Sequence, residues 1–318
     1  MAYIFKVYLM EDKEFFVISQ NNGRETKKDL AFSQSLLDIL YLDIYAYSDL
    51  FEQMGRDLRK LYETKDEAFA LSVKKSLDKL ARLHIYFEFL RIDWYERFDK
   101  AAAQGYEKCS DLLPYKKLTH IPSEIHTMQG QIQTLFSDVL DVLSPQKQSI
   151  QEKMIAYCER HKGKLHEWFS FAPLPISFET VDNAIFTDVL RPNSIYDIID
   201  FFLRACIKRE QLFKVCKNCN RYFAINSYTN TEYCDREYGD TGRTCKAIGA
   251  TQTYKKKIHE NPVIGAYNKE YKKRFAWIKY GKIPKEAFYE WSKQAQTMRD
   301  RALAGEVGLV EFEDWLRE

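Results

Sequence analysis

Glycine and proline are scarce in this chain, which has only 12 glycines and 8 prolines among 318 residues. That scarcity excludes collagen-like and low-complexity disordered chains and argues against a β-propeller. No apolar run is long enough to span a bilayer, so we predict no contact with membranes. An acidic pair, Glu11-Asp12, precedes any small-residue cleavage site. This argues against a signal peptide and predicts a cytoplasmic protein with reduced or metal-bound cysteines.

Motifs for catalysis are missing as well. The sequence contains no nucleophile elbow, phosphate loop, dinucleotide fingerprint or H-E-x-x-H zinc motif. Two histidine pairs, His120 with His126 and His161 with His166, lie near predicted helix ends, where surface or capping roles are typical. We therefore predict no catalytic residues and no enzyme activity.

What the chain does contain is enough apolar material for a sizeable core, with 45% hydrophobic and 15% aromatic residues. Apolar residues recur at helical spacing from Leu30 to Ala103, and residues 195–210 form a strongly amphipathic helix pattern. Tyr3 to Met10 and Glu14 to Ser19 predict two short strands joined by a turn. Two prolines between Phe171 and Phe178 predict extended chain there.

The predicted fold class is mainly α, in three parts. Residues 1–210 are predicted to form a helical domain with the small N-terminal β-hairpin. Residues 211–260 are predicted to form a treble-clef-like zinc finger. Residues 261–318 are predicted to form C-terminal helices whose charge changes from basic to acidic and which pack on the finger.

Four cysteines carry the most informative pattern: Cys216, Cys219, Cys234 and Cys245. The C-x2-C spacing of the first two lets a tight turn aim both sulfurs at one point. Thr244 is a good N-cap for a helix that opens with Cys245. Four converging thiolates predict one tetrahedral Zn²⁺ ion, and a closed four-sulfur shell leaves no position for a catalytic water.

The predicted finger is a knuckle, a hairpin and a helix. Its hairpin is expected to pair a strand at Arg221-Tyr222-Phe223 with a second strand ending at Tyr233-Cys234. One alternative to four-cysteine coordination is a disulfide, which a reducing compartment disfavours. Another is replacement of one cysteine ligand by His259, but His259 lies several helical turns past Cys245 and would point elsewhere. Cys109, Cys158 and Cys206 are predicted to be small buried hydrophobes.

Charge is concentrated around the cysteines. Residues 211–285 contain 16 Lys and Arg against 6 Asp and Glu, a net charge of +10, whereas the segments before and after each carry −4. Such a block attracts phosphate backbones. The candidate nucleic-acid-binding residues are Arg243, Lys246, Lys255, Lys256, Lys257, Lys272, Lys273 and Arg274. The alternative is an ordinary solvated helix face with Tyr271, Phe275 and Ile278 as its core stripe.

The cysteine segment resembles the CGNR-type zinc finger of bacterial regulators. The matching elements are the four cysteines, Tyr222-Phe223 and Tyr233 before Cys234, preceded by the amphipathic helix 195–210. Lys246-Ala247-Ile248 stands where that family has Gly-Asn-Arg. The arrangement is also similar to an uncharacterised bacterial domain family with a four-cysteine C-terminal module. The first resemblance implies DNA binding in a transcription regulator.

The functional prediction is therefore a zinc-finger nucleic-acid-binding protein, a candidate transcription regulator, whose helical domain senses a ligand or mediates dimerisation. DNA is favoured over RNA as the partner. The alternative is a protein-interaction module whose zinc is purely structural and whose basic face meets an acidic protein partner.

Overall fold

A computed structural model describes residues 3–20, 25–144, 148–164, 167–182, 184–225 and 231–318, with side chains except at residues 3, 20 and 253–260. The strands are β1 (Tyr3–Met10), β2 (Lys13–Gln20), β3 (Glu25–Ala31), β4 (Ile176–Val181), β5 (Ile185–Leu190), β6 (Phe213–Val215) and β7 (Tyr222–Ala224). The first helices are α1 (Gln34–Leu40), α2 (Ser48–Thr64), α3 (Glu67–Leu80), α4 (Ile85–Ala103), α5 (Cys109–Leu112), α6 (Tyr115–Thr119), α7 (Ile121–Leu135), α8 (Ile150–His161) and α9 (Ile195–Lys208). The C-terminal helices are α10 (Cys245–Glu260), α11 (Pro262–Lys279), α12 (Lys285–Leu303) and α13 (Leu309–Arg317).

The predicted N-terminal hairpin is confirmed. β1 and β2 pair antiparallel along their whole length, from Tyr3 opposite Gln20 to Met10 opposite Lys13. The turn between them places Glu11 in the left-handed region at φ 52°. Alternating aromatic and β-branched residues fit this pairing, because successive side chains point to opposite faces of a sheet.

The hairpin belongs to a larger sheet, and this corrects the predicted fold class. Five antiparallel strands are arranged in the order β3-β2-β1-β5-β4. β5 lies beside β1, with Val7 opposite Leu190 and Tyr8 opposite Val189. The fold is therefore mixed α and β, with a high helical content, and not mainly α as predicted.

Local sequence signals place several helix starts. Ser194 caps α9 by accepting a hydrogen bond from the Asp197 amide at 3.2 Å, and α9 confirms the predicted amphipathic helix. Ser149 and Glu152 form a reciprocal capping box at the start of α8. Each cap satisfies amide groups that the first helical turn leaves without intrahelical partners.

Contacts divide the chain into two compact units. Unit 1 comprises residues 1–215 and 221–230, and unit 2 comprises residues 216–220 and 231–318. Unit 1 has an extended core in which α1 to α9 pack with one face of the large sheet, around fully buried side chains such as Trp94, Phe16 and Phe202. The predicted division into three parts stays a prediction.

Unit 2 has a small aromatic core of its own. Tyr267, Phe312 and Leu316 are buried there, and Trp291 and Trp315 pack against them. Helices α11, α12 and α13 supply these residues, so the three helices form one packed group. Within the described part of the chain, no helix is both long and apolar enough to cross a membrane.

Candidate metal centre

The first two cysteines lie on a tight turn between β6 and β7. These strands pair antiparallel, with Val215 opposite Tyr222, so Cys216 directly follows one strand and Arg221 precedes the next. The Asn220 amide donates to the Cys216 carbonyl at 2.9 Å, and Asn220 adopts a left-handed φ of 56°. This turn is the knuckle that the C-x2-C spacing predicts.

Backbone hydrogen bonds bring the other two cysteines together. The amide of Cys245 donates to the Arg236 carbonyl at 2.9 Å, and that of Lys246 donates to the Cys234 carbonyl at 3.0 Å. Cys245 opens α10, and the Thr244 hydroxyl accepts from the Ala247 amide at 3.2 Å, which confirms the predicted N-cap. The first turn of α10 therefore holds the fourth sulfur beside the third.

The predicted hairpin partner was wrong. Tyr233 and Cys234 are not in a strand, and β7 pairs instead with β6, which precedes the knuckle. The reason is packing, because Phe213 of β6 and Tyr222 of β7 are both buried in the core of unit 1. Phe136 stacks on Phe213 with ring centroids 4.1 Å apart. The segment after Cys234 contains an isolated antiparallel β-bridge, which joins Glu237 to Thr244.

The four sulfurs converge on one point, as the sequence predicts. All four Sγ atoms lie within 4.8 Å of one another, and those of Cys219 and Cys234 are 3.7 Å apart. A tetrahedral site with metal–sulfur distances of about 2.3 Å has sulfurs about 3.8 Å apart. A disulfide needs about 2.05 Å, and all four cysteines are free. The geometry therefore fits a metal ion and not a disulfide.

Hydrogen-bond donors surround the sulfurs. The Cys234 amide donates to the Cys216 sulfur at 3.4 Å. The Asn218 side-chain amide donates to the Cys245 sulfur, also at 3.4 Å. Burial raises the pKa of the Cys216 thiol, but backbone amides of the knuckle and of Cys234 outweigh it and lower this pKa to about 7. Burial raises the pKa of Cys234 and of Cys245. Because metal ligation requires thiolates, such amide donors favour the ligated form.

The site is enclosed. Cys216 and Cys245 are fully buried, Cys234 is nearly so, and Cys219 is half-buried. Four sulfur ligands complete a tetrahedral shell, which is the arrangement of structural metal sites. Asn218 was missed by sequence reasoning, although its position inside the C-x2-C turn is a usable signal for a residue facing the sulfurs.

The candidate nucleic-acid-binding residues near the finger are exposed. Arg243 donates to the Ala247 carbonyl at 3.2 Å and to the Thr251 hydroxyl at 2.9 Å, so its guanidinium lies along the first turns of α10. The side chain of Lys246 is 61% exposed and lies 3.5 Å from Asp235. Lys255, Lys256 and Lys257 lie outside the residues whose side chains are described, as does His259.

The three candidates on α11 differ in their surroundings. Lys272 and Lys273 are exposed, and Lys273 pairs with Glu270 at 3.1 Å. Arg274 faces inward, where it pairs with Glu270 and donates to the Leu316 carbonyl at 2.9 Å. Its guanidinium lies 4.6 Å from the centre of the Trp291 ring. Arg274 therefore holds α11 to α12 and α13.

Two further lysines complete a basic surface on α11. Lys269 and Lys279 are exposed and have no ion pair within the described residues. At 100° per residue, they share a sector of about 120° with Lys272 and Lys273. We call these four residues the α11 basic face. Phe275 and Tyr280, which are 57% and 72% exposed, flank it.

The other cysteines and the histidines have mixed environments. Cys109 and Cys206 are buried, as predicted, whereas Cys158 is exposed, which corrects the prediction for that residue. His120 and His126 are exposed, as predicted. His161 is buried, with Nε2 3.4 Å from the Asp138 carboxylate, and His166 lies outside the described residues. His161 does not line any of the described cavities.

Fold and site together define a mixed α and β protein with a cluster of four cysteines that could hold a metal ion. Residues 175–312 match the model of a family of unknown function (DUF6076), a span from β4 through the four cysteines into α13. No curated protein and no solved structure matches the chain. The resemblance to CGNR-type fingers stays a prediction.

Proposed function

We propose that the four cysteines hold one structural zinc ion and that unit 2, so stabilised, binds nucleic acid. Zinc is the ion of choice because four thiolates in a tetrahedral arrangement are typical of structural zinc sites. A cytoplasmic location would keep the thiols reduced and available for metal. The ion's role is to join the knuckle to the start of α10.

The α11 basic face is the observation that carries nucleic-acid binding. Four exposed lysines lie in one helical sector, beside two exposed aromatic rings that can stack on bases. Lys273 pairs with Glu270 at 3.1 Å, and the side chain of Lys273 is still 50% exposed. Lysines contact phosphates as point charges and read few base edges, so binding is mainly to the backbone and only weakly sequence-specific.

DNA is the favoured partner, and regulation of transcription the favoured role, because of the resemblance to CGNR-type regulators. Arg243 and Lys246 at the start of α10 would add phosphate contacts next to the metal centre. Arg274 is left out of the proposed surface because Glu270 and the α13 carbonyl already engage it.

The test is a salt titration of binding by fluorescence anisotropy, using labelled duplex DNA and single-stranded RNA. We expect affinity to fall steeply from 50 to 200 mM salt. Replacing Lys269, Lys272 and Lys279 by Gln should reduce the slope of log K against log salt by about three. Replacing Lys75, Lys79 and Lys108, which are exposed on unit 1, is the matched control and should leave the slope unchanged. Absence of binding at 50 mM salt, or a flat salt response, would refute the proposal.

A protein-interaction module is the second candidate, favoured by the exposed rings of Phe275 and Tyr280 beside the basic face. Aromatic residues of this kind are enriched at protein interfaces. This function predicts an acidic protein partner that co-purifies after nuclease treatment. Loss of every co-purifying species on nuclease treatment would exclude it.

A further inference from the structure

Unit 1 contains a cavity far in sequence from the metal centre. Helices α4, α6 and α7 and the start of α9 surround about 540 Å³ of space. Small-molecule sites in proteins have volumes of about 300–1,000 Å³ and combine apolar walls with a few polar groups. We call this space the α4–α7 cavity.

Its floor is apolar and fixed by the core. Trp94 and Ile125 are at most 1% exposed, and Phe89 and Met128 are also buried. Aromatic and aliphatic groups of this kind favour a hydrocarbon side chain, since burying apolar surface contributes about 25 cal/mol per Å². The floor alone would accept almost any apolar group of suitable size, so the class of ligand depends on the rim.

Four charged side chains line the rim, and two of them neutralise each other. Arg97 Nε donates to the Asp93 carboxylate at 2.8 Å, which closes this pair within α4. Lys117 of α6 and Glu124 of α7 also line the cavity, and neither has an ion pair among the described residues. The rim thus offers one uncompensated cation and one uncompensated carboxylate.

These two charges are well placed for one ligand. His120, between α6 and α7, has helical dihedral angles, and its amide donates to the Lys116 carbonyl while its carbonyl accepts from the Glu124 amide. Lys117 and Glu124 are therefore about two helical turns apart along a nearly continuous path, roughly 10 Å between backbones. Their long side chains can reach a single polar group from opposite ends of the opening.

We propose that the α4–α7 cavity binds a zwitterionic amino acid with an apolar side chain. The side chain lies against Trp94 and Ile125, the carboxylate pairs with Lys117, and the ammonium pairs with Glu124. A simple anion is disfavoured because Glu124 repels it, and a simple cation is disfavoured by Lys117 in the same way. The proposal is independent of nucleic-acid binding by unit 2.

The experiment is isothermal calorimetry of the full-length chain with L-leucine and L-phenylalanine, without nucleic acid. The analogues 3-phenylpropanoate and phenethylamine each lack one charge of phenylalanine. We expect at least one of the two amino acids to bind. If phenylalanine binds, its two analogues should bind at least tenfold more weakly than phenylalanine. If leucine alone binds, isocaproate and isoamylamine, which each lack one charge of leucine, should bind at least tenfold more weakly than leucine. Equal binding of the single-charge analogues, or no binding of either amino acid, would overturn the proposal.

Variants at the rim separate recognition from folding. Lys117→Gln and Glu124→Gln change exposed side chains, so the melting temperature without ligand should stay the same. Each should weaken amino-acid binding at least tenfold, whereas Lys116→Gln, an exposed neighbour on α6, should not. Unchanged binding in both rim variants would also overturn the assignment.

Discussion

At the scale of single residues, the four-cysteine cluster depends on groups that orient the sulfurs as well as on the sulfurs themselves. The four ligands were predictable because C-x2-C spacing and a capped helix start are local signals. Asn218 and the inward-facing Arg274 were not predicted in their roles, because their partners, Cys245 and Glu270 with Leu316, are fixed by tertiary packing.

Asn218→Ala should weaken zinc binding. Its side-chain amide donates to the Cys245 sulfur at 3.4 Å, and loss of such outer-shell partners typically costs about tenfold to hundredfold in metal affinity. Competition with a chromophoric chelator measures the effect. Lys217→Ala is the control, because its side chain lies in the same turn and is 58% exposed. Equal losses in both variants would show that Asn218 has no specific role.

Glu14→Gln should remove a pH dependence of stability. Glu14 is buried on β2, accepts from the Ser35 amide at 3.1 Å, and burial raises its pKa from 4.5 to about 8. Folding therefore takes up a proton between these pH values. The free energy of unfolding should fall as pH rises from about 4.5 to 8, by at most about 1.4 kcal/mol per unit.

Urea unfolding at pH 5, 6, 7 and 8 tests this expectation for unit 1. The free energy of unfolding of the variant should depend less on pH than that of the natural protein. The variant should be stabilised most, relative to the natural protein, at pH 8, where the buried Glu14 carboxyl begins to ionise. Parallel profiles for the two proteins would mean that another group is responsible.

At the scale of secondary-structure elements, local sequence patterns predicted which strands and helices form but not which strands pair with each other. The N-terminal strands and α9 were correct because periodicity and caps are contained within each segment. β4 and β5 were missed, since their place in the sheet depends on pairing with β1 across most of unit 1. The prolines before Ile176 indicated extended chain and gave no sign of a sheet.

Gly249→Ala should destabilise the finger. A Cβ added at Gly249 would lie 2.5 Å from the Tyr233 ring, so α10 packs against Tyr233 through a position without a side chain. Alanine normally favours a helix by about 1 kcal/mol over glycine, but overpacking costs about 1–3 kcal/mol. The predicted result is a lower melting temperature for unit 2. The double variant with Tyr233→Ala should lose this penalty, and additive effects would contradict the steric explanation.

At the scale of the whole molecule, the two units have separate cores, and all four sulfurs belong to unit 2. The sequence indicated the boundary only through the change in charge and the cysteines. It did not indicate that the strands flanking the knuckle belong to unit 1, because that depends on Phe213 and Tyr222 entering its core.

Chelation should therefore affect the units unequally. Calorimetry is expected to show two transitions, and a strong zinc chelator should lower or abolish the one that belongs to unit 2. Bound metal stabilises only the state that holds it, so the transition of unit 1 should move little. A single transition, or equal shifts of both transitions, would contradict this expectation.

The position of Cys216, directly after a strand whose Phe213 is buried in unit 1, also bears on synthesis. The nascent chain presents Cys216 and Cys219 before it presents Cys234 and Cys245. Once the N-terminal core has folded on the ribosome, two thiols are held in position for partners that have not yet left the ribosome. We expect this stage to be when the growing polypeptide is most open to oxidation or to capture of a wrong metal.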